Sequence, residues 1–126
     1  MSGLKFWSRD GEPMELTEWA RAYEKVENRT VALDIDEPDK MVSTIWEGMN
    51  SPLVLIHDHT VPEEPHSIFE TAYLVNGEIV DKFRWASLEG ALEGHRMVCI
   101  ELLGREPRPE DGWVEKRIAA DRRPQS

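Results

Sequence analysis

The sequence has a single cysteine, Cys99, among 126 residues. No disulfide can form within the chain, which suits a reducing, cytoplasmic setting. No apolar run comes near the roughly 20 residues that a membrane-spanning helix needs. The first twelve residues, Met1 to Glu12, contain no apolar h-region, so no signal peptide is expected. Gly-rich phosphate loops, the G-x-S-x-G elbow and HExxH or CxxC spacings are all missing. Basic residues are the minority, 15 against 25 acidic ones, for a net charge of −10. Such a surface repels nucleic-acid phosphate and anionic lipid, so direct DNA, RNA or membrane binding is not expected. An acidic face instead suits a basic protein partner.

Hydrophobic residues make up 40% of the chain, enough at this length for one modest core. Asp10-Gly11 between apolar flanks predicts an N-terminal hairpin. "LTEWARAYEKVEN" changes to helical spacing, with Leu16, Trp19, Ala20, Tyr23 and Val26 on one face. "TVALDID" alternates, which predicts a half-buried strand with Val31, Leu33 and Ile35 facing one way and Ala32, Asp34 and Asp36 the other. "MVSTIWEG" and "LVLIH" read as further strands. "IFETAYLV" and "IVDKFRW" flank Asn76-Gly77, the clearest hairpin signal in the chain.

Ser87 offers an N-cap for a second long helix, whose apolar stripe holds Leu88, Ala91, Leu92, His95, Cys99 and Leu102. Gly104 supplies its stop. The expectation is an α+β domain over residues 1–104, with two helices on one face of a small antiparallel sheet. Residues 105–126 read as a polar tail, partly ordered at most.

The ordered set "LTEWARAYE", "VSTIWEG", "IFETAYL" and "ALEGHRMV" resembles a family of small proteins of actinobacteriophages and actinobacterial genomes. The resemblance covers about residues 4–103. It implies a phage or prophage origin and carries no established activity. The chain departs from the family pattern at Met49-Asn50-Ser51 and at Ala72-Tyr73-Leu74, and it inserts "LVLIHDHTVPEEPH" where the family has a short loop.

That insertion holds His57, Asp58, His59 and His66, the candidate metal ligands. On an extended strand His57 and His59 share a face, and zinc accepts imidazoles with a carboxylate. Nothing in the spacing closes the set, so a solvated loop is the plainer reading and no cofactor is expected. His95, in mid-stripe, and Glu70, alternating with Ile68, Ala72 and Leu74, are the candidate catalytic residues. A carboxylate among apolar neighbours must be paired or carry a raised pKa. Arg84 or His95 would pair with Glu70, and both candidates then become structural.

Met97 and Ile100 fall outside the apolar stripe, with Gly90 and Gly94 on the same outer side, and Trp113 stands in the tail. These are the candidate interaction residues, for a protein partner or a second copy. The expected function is therefore a non-catalytic phage or prophage accessory protein that binds a host or phage protein in the host cytoplasm. The alternatives are a metal-assisted hydrolase using the His57/Asp58/His59 loop and a minor virion or assembly component.

Overall fold

The computed structural model describes residues 5–36, 38–50 and 67–108. Its elements are β1 (Phe6–Trp7), β2 (Pro13–Met14), α1 (Leu16–Tyr23), α2 (Val26–Arg29), β3 (Thr30–Asp36), β4 (Lys40–Trp46), β5 (Phe69–Val75), β6 (Glu78–Trp85) and α3 (Leu88–Val98). A π-helical turn, Cys99–Leu103, continues α3. The fold is α+β, with an N-terminal hairpin and a four-stranded antiparallel sheet in the order β3-β4-β5-β6. No helix among the described residues is long and apolar enough to cross a membrane.

Local chemistry explains the connections. Asn76 and Gly77 both have positive φ, 54° and 81°, as the tight turn between β5 and β6 requires. At the start of α3 the Ser87 hydroxyl accepts the Gly90 N–H at 3.0 Å. At the far end Gly104, with φ of 73°, closes the π-helical turn in the left-handed conformation.

Along β4 the inward positions Val42, Thr44 and Trp46 are buried, and their neighbours are partly exposed. Trp19 and Tyr23 of α1 and Leu88, Ala91 and Leu92 of α3 pack against one cluster built on Trp7, Ala32, Trp46 and Phe69. Both helices thus serve the same core. The indoles keep their polar ends paired: Trp46 Nε1 donates to the Trp7 carbonyl at 3.0 Å, and Trp19 Nε1 to the Glu47 carbonyl at 2.8 Å.

Three expectations need correction. The inward set of β3 is inverted along its second half: Asp34 is 2% exposed and Ile35 is 45% exposed. A register shift between Thr30 and Ala32 buries both Val31 and Ala32 and reverses the alternation that follows. The first helix ends at Tyr23, and Leu16 and Ala20 are exposed, so Trp19, Ala22 and Tyr23 carry its packing. Gly94 does not lie on the outer side of α3. It is buried, and a Cβ there would meet the Trp85 ring at 2.3 Å. The expected "LVLIH" strand lies outside the described residues.

Candidate functional site

Thr44 and Thr71 are direct cross-strand partners on β4 and β5, on the face that α3 covers. Their hydroxyls lie 2.5 Å apart. Thr44 Oγ1 is also 2.7 Å from His95 Nδ1, and His95 Nε2 is 2.7 Å from Asp34 Oδ2. Trp85 Nε1 donates to Thr71 Oγ1 at 2.9 Å. A continuous polar line therefore crosses the core from β6 to β3, through α3.

With the imidazole neutral, as its burial favours, counting donors orients that line. A carboxylate only accepts, so His95 Nε2 carries the ring proton and donates it to Asp34. Nδ1 then accepts from Thr44, Thr44 accepts from Thr71, and Thr71 accepts from Trp85. Burial lowers the pKa of His95, against the pull of the Asp34 hydrogen bond and charge. Burial alone would raise Asp34, but bonds from His95, the Arg108 backbone N–H and the Arg105 guanidinium hold it below the usual carboxylate range. The pair is a neutral imidazole and an ionised carboxylate.

Asp34 is the hub. Its Oδ1 accepts Arg105 Nη1 at 2.9 Å and the Arg108 N–H at 3.0 Å. Arg105 Nε also donates to Asp36 at 2.8 Å. Residues just beyond Gly104 are thus tied back to β3. The Cys99 thiol, one helical turn after His95, lies within 4.8 Å of the Asp34 carboxylate. Burial and the nearby Asp34 charge push that thiol up to about 12, so it stays protonated.

Thr44, His95 and Asp34 stand in the order nucleophile, base and orienting acid, the logic of a hydrolase triad. Access decides against that use. Thr44 and His95 are 0% and 1% exposed, so a substrate has no approach to the hydroxyl. Among the described residues, open clefts lie elsewhere, against Ile35, Met41 and Leu74 and against Ser8, Arg9 and Trp46.

Glu70 sits on the opposite face of the sheet, in register with Arg84. Arg84 Nη2 lies 2.8 Å from Glu70 Oε1, and Arg84 also contacts Glu47. Burial raises the Glu47 pKa, aided by the Glu70 charge and opposed by Arg84. The structure thus supplies the Arg84 partner expected for Glu70. It does not join Glu70 to His95, whose partners are Thr44 and Asp34. Met97 and Ile100 are 50% and 38% exposed on the outer side of the last helix. His57, Asp58, His59, His66 and Trp113 lie outside the described residues.

Asp34 and Thr44 were missed because strand alternation placed Asp34 outward, and threonines in a strand carry no chemical signal. The spacing His95-x-x-x-Cys99 on one helix face was legible, but its partner strand was not. In comparisons with known proteins, no family model, no curated protein and no solved structure matches this chain.

Proposed function

We propose that the chain is a non-catalytic accessory protein of phage or prophage type that binds a host or phage protein through the outer face of its sheet. The observation that supports this is one row of side chains. Ile35, Met41, Leu74 and Ile79 are successive cross-strand partners, one from each of the four strands. Val42 and Tyr73, their neighbours along β4 and β5, pack with Val98 and Cys99 of the last helix, so the row points away from it. Ile35 and Ile79 at its ends are 45% and 55% exposed. A shallow cleft of about 240 Å³ is lined by Ile35, Met41 and Leu74 together with Asp39 and Lys40.

An apolar row that crosses the sheet, half-buried at its centre and exposed at both ends, suits a protein contact. The net charge of −10 disfavours a second copy and favours a partner with a basic rim around an apolar centre. The test is capture from an actinobacterial host lysate by wild type, by an Ile35→Glu/Ile79→Glu variant and by Met97→Glu. A salt-sensitive partner lost only in the double variant supports the reading. Loss only in Met97→Glu moves the interface to α3, and no specific partner for any of the three sinks it.

A further inference from the structure

We propose that Asp34, His95 and Cys99 form a binding site for one transition-metal ion of the zinc class. Their donor atoms, a carboxylate oxygen, an imidazole nitrogen and the thiol sulfur, all lie within 4.8 Å of one another, and all three residues are buried. Among the described residues this is the one group of three or more potential ligands so gathered. It shares no residue with the His57, Asp58 and His59 set or with the sheet row proposed to bind protein.

The arrangement is that of a chelate. His95 and Cys99 are four residues apart, which sets them side by side on one helix face, the spacing by which helical pairs grip zinc. Asp34 comes from the strand opposite. A sulfur, a nitrogen and an oxygen donor match the borderline character of zinc. Donors about 2.0–2.3 Å from such an ion stand roughly 3.3–3.8 Å apart in a tetrahedron, so adjustments of about 1 Å would seat it. Three protein ligands leave one tetrahedral position for a buried water.

The surroundings match what metal ligands require. His95 Nδ1 faces Thr44 Oγ1 at 2.7 Å, and Asp34 Oδ1 is held by Arg105 and the Arg108 N–H, which leaves Nε2 and Oδ2 turned towards each other. Ligating imidazoles and carboxylates are commonly oriented by such outer partners. On binding, the Cys99 thiol gives its proton to solvent and the sulfur bonds the ion. The imidazole keeps one proton, which passes from Nε2 to Nδ1. Thr44 turns to accept it, the Thr44–Thr71 bond reverses, and Thr71, which still accepts from Trp85, turns its own proton out of the line. One doubly charged ion thus replaces one proton.

Cobalt(II) is the probe, added to the folded protein and, in parallel, during refolding so that burial does not limit entry. Because Cys99 is the sole cysteine, a thiolate-to-cobalt charge-transfer band can come from nowhere else in the chain. The expected result is that band at one equivalent of cobalt, its loss on zinc addition, and its absence in Cys99→Ser. Thr44→Val, which touches no ion, should weaken binding about 10–100-fold. No charge-transfer band in wild type by either route overturns the proposal. So does a cobalt spectrum without that band, which would place the metal on the remaining histidines.

Discussion

His95 on α3 and Asp34 on edge strand β3, 61 residues apart in sequence, are joined by a 2.7 Å hydrogen bond inside the core. That bond ties the last helix to the strand farthest from the β5–β6 hairpin. Both groups are almost fully buried, so each depends on the other and on Thr44 and Arg105 to offset lost hydration.

Asp34→Ala removes the acceptor for His95, Arg105 and the Arg108 N–H together. It should destabilise by about 3–5 kcal/mol, the cost of leaving buried partners uncompensated. Urea unfolding followed by tryptophan fluorescence measures this, and Asp34→Asn should cost less.

Glu70→Ala should cost far less, on the order of 1 kcal/mol, because Arg84 keeps Glu47 as a partner. Equal losses in the two alanine variants, measured side by side, would contradict the ranking.

Acid should weaken the fold in two stages. The folded-state pKa of His95 is lowered, so its contribution is complete above the unfolded value near 6.5 and falls as the pH drops below it. The Asp34 pKa is lowered too, so its contribution is lost only at still lower pH, below about 3.8. Each group contributes up to about 1.4 kcal/mol per pH unit within its window. Melting temperatures from pH 8 to pH 4 should fall in wild type more steeply than in His95→Gln.

The Cys99 thiol has the opposite sign. Its pKa rises from 9.0 to about 12 on folding, so its contribution is complete below pH 9 and is lost as the pH climbs towards 12. The difference in melting temperature between wild type and Cys99→Ala should change over that alkaline window. At neutral pH the metal-free protein should react with a disulfide reagent only as fast as it opens globally, since the thiol is 0% exposed.

Gly94→Ala should destabilise by about 1–3 kcal/mol, although alanine favours helix, because its methyl would enter the Trp85 ring. A neutral or stabilising result in thermal melts would show that the indole moves aside at little cost.

Signals that act within a few residues were legible in the sequence. Asn76-Gly77 allows little besides a tight hairpin, Ser87 and Gly104 bound the last helix through their own hydroxyl and left-handed backbone, and the stripe Ala91, His95, Cys99 follows from 3.6-residue spacing. Those signals are local because hydrogen bonds in turns and helices close within a few residues. What faces what was decided in three dimensions. The register shift after Thr30 turned Asp34 inward and Ile35 outward, and no alternation rule foresees a single-residue bulge. Once inside, Asp34 needs the partners that converge on it, His95, Arg105 and the Arg108 N–H, from far along the chain. That convergence depends on the order of the strands and the seat of α3, because a buried charge takes its partners from whichever elements the fold brings within hydrogen-bond distance.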